Sequence, residues 1–117
     1  MALDIELLVV PSCPHGDRAL RLLHAALADV GLTSAPIRTT GIATESEAQL
    51  RAFTGSPTFL INGVDPVTEV GRPIGLGCRL YRHADRVSGV PDIAELRQAL
   101  QQAAHHNGAG PQPASGP

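Results

Sequence analysis

The feature that most restricts the fold is a continuous apolar run at residues 7–10, which directly precedes a segment with helical periodicity. Leu7-Leu8-Val9-Val10 closes a predicted first strand over residues 3–10, and a continuous apolar run is typical of a strand covered on both faces. From residue 17 onward, apolar residues recur at three- and four-residue steps as far as Val30, and Gly31 is a typical helix stop. A helix over about 15–30 therefore follows the strand, which indicates an α/β fold.

The turn between these elements contains the first cysteine, in the order Cys13-Pro14-His15-Gly16. Proline is favoured at the first helical position, so the turn predicts Cys13 as the N-cap residue. A sulfur atom there would face unpaired backbone N–H groups and the positive end of the helix dipole, which favour a thiolate. A protonated His15 turned toward the sulfur would act in the same direction. Cys13 is the candidate nucleophile; the alternative is a small buried apolar residue.

Composition and charge exclude several function classes. The chain has 117 residues and a net charge of −2, so nothing electrostatic favours nucleic acid or an acidic membrane as a partner. It contains no lysine, which excludes a Schiff-base lysine. Acidic residues near the N-terminus and the short apolar run predict no export signal or membrane span. We therefore expect a cytoplasmic protein whose two cysteines are reduced at rest.

Local signals place the remaining elements in one domain over residues 1–104. Thr44 and Glu47 have capping-box spacing, and Asp92 is a typical cap for a final helix. The Gly/Pro-rich residues 105–117 predict a disordered tail. The predicted elements are a strand at 35–42, a helix at 45–53, a strand at 58–61, an irregular segment at 64–77, a strand at 78–82 with a candidate partner near 86–88, and a helix from 93.

Two of these motifs together resemble the thioredoxin-like superfamily: the Cys-Pro-His turn and the strand start Ser56-Pro57-Thr58-Phe59. The resemblance covers residues 3 to about 104 and implies a βαβ unit followed by a ββα unit, around a four-stranded mixed sheet with helices on both faces. It implies that Cys13 is the nucleophile and that Pro57 is cis and faces it. Ser56 would offer its backbone N–H and C=O to an extended substrate. Pro14 and His15 complete the implied substrate-binding set.

The chain also departs from that superfamily. Gly16 occupies the place of the second cysteine of Cys-x-x-Cys, and Ser12 stands where thioredoxins usually have tryptophan. A closer likeness is to small bacterial thioredoxin-like proteins labelled alkylmercury lyases, which share the Gly-Ser-Pro-Thr run at 55–58, Asp65-Pro66 and the Cys-Arg-Leu-Tyr run at 78–81. The motifs of authentic organomercurial lyases are not matched.

Three functional hypotheses follow. In the first and preferred one, the protein is a monothiol thiol-disulfide oxidoreductase in which Cys13 attacks a disulfide and Cys78 resolves the intermediate. The alternative for Cys78 is a buried strand residue. The predicted partner is a small thiol or disulfide, with glutathione as a candidate co-substrate, or an extended peptide.

The second hypothesis is soft-metal or organomercurial chemistry by two thiolates, with Asp17, Asp65 or Asp85 as proton donor. No ligand-pair spacing indicates a resident metal site. The third is a redox-inactive binding module or small biosynthetic enzyme that uses a cleft between Cys13, Pro57 and the 64–77 segment.

Overall fold

A computed structural model of the chain describes residues 3–11, 13–67, 73–77, 79–83 and 86–108. The elements within these ranges alternate as the sequence predicts. They are β1 (Ile5–Val9), α1 (Gly16–Asp29), β2 (Ile37–Gly41), α2 (Glu45–Arg51), β3 (Thr58–Ile61), β4 (Tyr81–His83), β5 (Arg86–Ser88) and α3 (Ile93–Gly108).

The main sheet is mixed and has three strands in the order β2-β1-β3. β1 is central, parallel to β2 and antiparallel to β3, so that Leu7 lies between Thr39 and Phe59. The prediction of a four-stranded sheet is wrong for the described residues, because β4 pairs with β5 in a separate antiparallel hairpin. Two residues separate β4 from β5, whereas almost twenty separate it from β3, and closing a short loop costs less chain entropy.

Helices cover both faces of the main sheet, as predicted. Successive side chains of β1 point to opposite faces, so Ile5 and Leu7 pack with α1 and α3, while Leu8 packs under α2. The first core cluster includes Ala19, Leu23, Leu27, Phe59, Ile61, Tyr81, Leu96 and Leu100. The second comprises Leu8, Ile42, Ala48 and Phe53. Because β1 packs against both helical layers, the turn from β1 to α1 is held at the carboxyl end of the central strand.

Three of the local signals for helix ends are confirmed. The Thr44 hydroxyl accepts a hydrogen bond from the Glu47 N–H at 3.1 Å, and the Glu47 carboxylate accepts one from the Thr44 N–H at 3.0 Å. Gly31 ends α1 with a φ of 77°, and the Asp92 carboxylate accepts from the Ala94 N–H at 3.0 Å. These bonds join residues two or three positions apart, which is why the sequence alone predicts them.

The last helix, α3, continues to Gly108, four residues past the predicted domain boundary at residue 104. Good helix formers run from Ala94 to Ala104, and the helix then continues through residues 105–107. Residues 109–117, the rest of the predicted tail, lie outside the described residues. Within the described ranges, no helix has the length and apolar character needed to cross a bilayer.

Candidate functional site

Cys13 lies in a pair of turns between β1 and α1, not at the helix cap. Its N–H donates to the Val10 carbonyl at 3.1 Å, and its carbonyl accepts from the Gly16 N–H at 3.3 Å. α1 begins at Gly16 with His15 as N-cap, so the prediction that Cys13 caps the helix and that Pro14 opens it is wrong. The backbone of Cys13 is engaged in both turns, which moves the helix start three residues past the sulfur.

The Cys13 side chain opens on a small cavity, which we call the Cys13 cavity. The thiol is free and half-buried, and the cavity has a volume of about 290 Å³. The side chains around it are mostly apolar. The lining residues are Leu7, Val9, Val10, Pro11, Cys13, Pro14, Gly16, Asp17, Leu20 and Thr39. The sheet edge at β2 therefore forms one side of the site, because Thr39 is the β2 neighbour of Leu7.

His15 lies elsewhere, against the connection between β5 and α3. A Cβ added to Gly89 would lie 2.6 Å from the Nε2 and Cδ2 atoms of His15. The imidazole thus packs flush on Gly89, and His15 does not line the Cys13 cavity. Of the four predicted substrate-binding residues, only Pro14 lines that cavity together with Cys13.

Ser56 does not present the open edge that the resemblance implies. Its N–H donates to the Gly77 carbonyl at 3.0 Å, and its carbonyl accepts from the Arg79 N–H at 2.9 Å. Both groups expected to bind an extended substrate are already paired within the chain, so that expectation is corrected. The Ser56 hydroxyl accepts from the Val10 N–H at 3.1 Å, which ties it to the turn that holds Cys13.

The Ser56-Pro57 peptide bond is cis, as predicted. Pro57 is fully buried, and its carbonyl accepts a hydrogen bond from the Tyr81 hydroxyl. Pro57 is not among the residues that line the Cys13 cavity. The other predicted catalytic residue, Cys78, lies outside the described residues, although Gly77 and Arg79 on either side of it both bond to Ser56.

A buried arginine is the main feature that sequence reasoning missed. Arg79 is only 1% exposed, and its Nη1 donates to the Asp65 carboxylate at 2.6 Å and to the Thr58 hydroxyl at 3.3 Å. Its Nη2 donates to the Val67 carbonyl, and the guanidinium carbon lies 4.6 Å from the centre of the Tyr81 ring. We call these five residues the Arg79 cluster. Two features of the sequence could have indicated this cluster. One is an arginine inside a segment predicted as a strand, and the other is Asp65, which the resemblance singled out.

Gly55 gives the Arg79 cluster its close backbone approach. Its φ is +134°, and an added Cβ would lie 3.0 Å from the Arg79 Cβ and 3.2 Å from the Arg79 Cα. A side chain at this position would be strained and would push against the Arg79 backbone. The Gly-Ser-Pro-Thr run at 55–58 therefore serves packing as well as the strand start.

A second ionic cluster lies on the α2 face of the sheet, around Glu6. The Glu6 carboxylate is largely buried and accepts from Arg51 Nη2 at 2.5 Å and from the Thr40 hydroxyl at 2.5 Å. The hydrogen bond from Arg51 lowers the pKa of Glu6 below its ordinary value, against the opposing effect of burial, and Thr40 adds to the lowering. Because Arg51 is partly exposed, this cluster is wetter than the Arg79 cluster.

Within the described ranges, no three histidine, cysteine, aspartate or glutamate side chains lie together in a group that could hold a metal ion. Comparison with known proteins found no matching family model, no matching curated protein and no matching solved structure. The geometry of the site therefore carries the functional argument.

Proposed function

We propose that the protein is a thioredoxin-like thiol-disulfide oxidoreductase with Cys13 as its nucleophile. The observation that carries the proposal is the setting of the thiol. It is free, half-buried and next to a cavity, at the carboxyl end of the central strand. A nucleophile must meet its substrate while being held in a fixed orientation, and the two backbone bonds of Cys13 supply that orientation.

The arrangement of the chain around Cys13 supports a thioredoxin-like fold. A parallel β1-α1-β2 unit is followed by a third strand antiparallel to β1, and this strand begins directly after a cis proline. The Ser56 hydroxyl binds the Val10 N–H, which connects the start of this strand to the Cys13 turn. The departure is the separate β4-β5 hairpin, which takes the place of a fourth strand.

The proposed reaction is ordinary thiol-disulfide exchange. The Cys13 thiolate attacks one sulfur of a disulfide, the sulfur-sulfur bond breaks, and the departing thiolate takes a proton from water. Cys13 is left in a mixed disulfide. An external thiolate then attacks the substrate-derived sulfur and releases Cys13 as a thiolate, whereas a thiolate of the same chain attacks the Cys13 sulfur, forms an internal disulfide and releases the substrate half as a thiolate.

Two thiols are candidates for the second step: Cys78 and an external thiol such as glutathione. Support for Cys78 comes from its neighbours, since Gly77 and Arg79 both hydrogen-bond to Ser56, and Ser56 bonds in turn to Val10, whose carbonyl accepts from Cys13. A chain of three contacts thus joins the two cysteine-bearing segments.

The test is a comparison of folded and unfolded protein. Reduced protein is incubated with oxidised glutathione or bis(2-hydroxyethyl) disulfide, and each cysteine is followed by peptide mass under non-reducing conditions. We expect Cys13 to react faster in the folded protein than in the same protein in urea, and Cys13→Ser to abolish that fast adduct. Equal or slower reaction in the folded state would contradict the proposal.

The Cys78→Ser variant identifies the second thiol. If Cys78 resolves, wild-type protein ends as a Cys13-Cys78 disulfide, whereas the variant accumulates the mixed disulfide at Cys13. If both proteins accumulate the same adduct, an external thiol completes the reaction.

A further inference from the structure

Among the described residues that line the Cys13 cavity, only Asp17 carries a charged side chain. Apart from the thiol, none of the other described lining residues is ionisable. Asp17 lies in the first turn of α1, close in sequence to the turn that holds the sulfur. In the described part of the chain, this carboxylate takes part in no hydrogen bond or ion pair.

The two arginines nearest in sequence to Asp17 on α1 do not line the Cys13 cavity. Arg18 lines a different cavity, with Val90 and Asp92. Arg21 is exposed one turn further along α1 and does not line the Cys13 cavity. A substrate whose sulfur reaches Cys13 therefore meets apolar walls and one negative charge.

We propose that Asp17 selects small aliphatic disulfides that carry a protonated amine, and disfavours disulfides that carry carboxylates. This inference rests on the proposed function and names the substrate class of the same site. The ammonium group lies beside the carboxylate while the short aliphatic arm contacts side chains such as Leu20 and Val10. A carboxylate in the same position repels Asp17 and meets no cation among the described lining residues.

The exchange step with such a substrate balances in the ordinary way. The Cys13 thiolate attacks one sulfur of cystamine, the disulfide bond breaks, and cysteamine leaves as a thiolate that takes a proton from water. The ammonium group of the half bound to Cys13 remains next to Asp17. Asp17 acts through charge alone and exchanges no proton in this step.

The experiment measures the rate of adduct formation at Cys13 with three disulfides of different charge: cystamine, bis(2-hydroxyethyl) disulfide and dithiodiglycolate. The quantity compared is the ratio of the cystamine rate to the dithiodiglycolate rate, because a general change in Cys13 reactivity cancels in it. We expect Asp17→Asn to reduce this ratio about tenfold, since an exposed charge pair is worth about threefold with each reagent and the two effects multiply in the ratio. Added salt should shrink the wild-type ratio and have little effect on the variant.

Glu45→Gln is the matched control. Glu45 is also an exposed acid in the first turn of a helix, but α2 covers the opposite face of the sheet. This variant changes the net charge equally and should keep the wild-type ratio. Asp17→Lys should invert the preference.

The outcomes separate this inference from the proposed function. If Cys13 reacts rapidly with all three reagents and the ratio is the same in wild type and Asp17→Asn, the substrate class is wrong and the oxidoreductase proposal stands. If folding does not accelerate reaction of Cys13 with any of them, both are overturned.

Discussion

The Cys13 turn and the Arg79 cluster are stabilised in opposite ways. Cys13 is positioned by two backbone hydrogen bonds, and its side chain faces a cavity. Arg79 is almost inaccessible to water, and three elements of the chain converge on its guanidinium. Both residues belong to short motifs that stand out in the sequence. One motif leaves a free thiol accessible, while the other binds the irregular segment to the core.

The difference follows from what each side chain requires when it is buried. A guanidinium removed from water needs an anion and acceptors, and Asp65, Thr58 and the Val67 carbonyl supply them. A thiol is a weak donor and acceptor and needs neither. Cys13 can therefore lie at an open position with no side-chain partner, which leaves it available for chemistry.

The largest expected effect comes from removal of the Arg79 side chain. Arg79→Met removes a buried guanidinium together with its bonds to Asp65, Thr58 and Val67, so we expect a loss of about 3–5 kcal/mol in the free energy of unfolding. Urea unfolding at neutral pH measures it. Arg21→Met, an exposed arginine on α1, is the control and should change stability by less than about 0.5 kcal/mol. A loss as small as the control's would remove the distinction between the two regions.

A methyl group at Gly55 tests the same cluster through the backbone. Gly55→Ala adds positive-φ strain and a contact of 3.0 Å with Arg79, and together these should destabilise the fold by about 2–4 kcal/mol. Gly63→Ala is the matched control, because Gly63 has a φ of +79° and no neighbour within 4 Å, so only strain of about 1–2 kcal/mol is expected. Equal losses in urea unfolding would show that the approach to Arg79 contributes nothing.

The Glu6 cluster tests whether burial or the number of ionic partners determines stability. The pKa of Glu6 in the folded protein is lowered from 4.5, mainly by Arg51, so its stabilising contribution is present above that pH and is lost as the pH falls below it. Glu6→Gln should make the acid-induced loss of stability shallower. Between neutral and acidic pH, we expect the variant to lose about 1 kcal/mol less free energy of unfolding than the wild type. The effect is this small because Arg51 is partly in water.

Urea midpoints measured between neutral pH and about pH 3 check this. Some acid sensitivity should remain in Glu6→Gln, since backbone N–H bonds from Ala43 and Thr44 also lower the pKa of Glu47. Glu45→Gln should follow the wild-type curve. A Glu6 variant that loses as much stability at neutral pH as Arg79→Met would show that burial is not the deciding factor.

The smallest effect on stability is expected at Cys13. Cys13→Ser keeps both backbone turns and replaces a half-buried side chain by a polar one of similar size, so the free energy of unfolding should change by less than about 1 kcal/mol. The variant should nevertheless lose the fast disulfide exchange. A loss of stability comparable to that of Gly55→Ala would mean that Cys13 is a packing residue and would support the alternative interpretation.

Much of the fold could be predicted from short-range patterns. The bounds of β3 and the start of α2 are as predicted, and α1 ends before Gly31, because strand periodicity, the Thr44-Glu47 capping box and the Gly31 stop all depend on residues a few positions apart. The pairing partner of β4 was harder to predict from the sequence. Its choice between a hairpin with β5 and a place beside β3 depends on which of two competing pairings is more stable.

The candidate site, like the fold, was predicted from the sequence only in part. The sequence singled out Cys13 and a proline that is cis, but it placed Cys13 at a helix cap and left the Ser56 backbone open to substrate. The first error arose because the Cys13 N–H donates to the Val10 carbonyl, and the sequence patterns that mark helix ends do not indicate such a turn. The second arose because Ser56 pairs with residues more than twenty positions later.

The amino-acid sequence by itself determined the alternation of strands and helices, the capping box of α2, the stop of α1 and the location of a thiol between the first strand and the first helix. Only the tertiary structure decided that Ser56 is paired, that His15 lies on Gly89, that Arg79 is buried against Asp65, and that Asp17 is the charged side chain among the described residues of the Cys13 cavity. The physical reason is the separation along the sequence between the residues that interact. Hydrogen bonds and periodicities within one helical turn are set by neighbouring residues, whereas burial and pairing depend on which distant segments the packed core brings together.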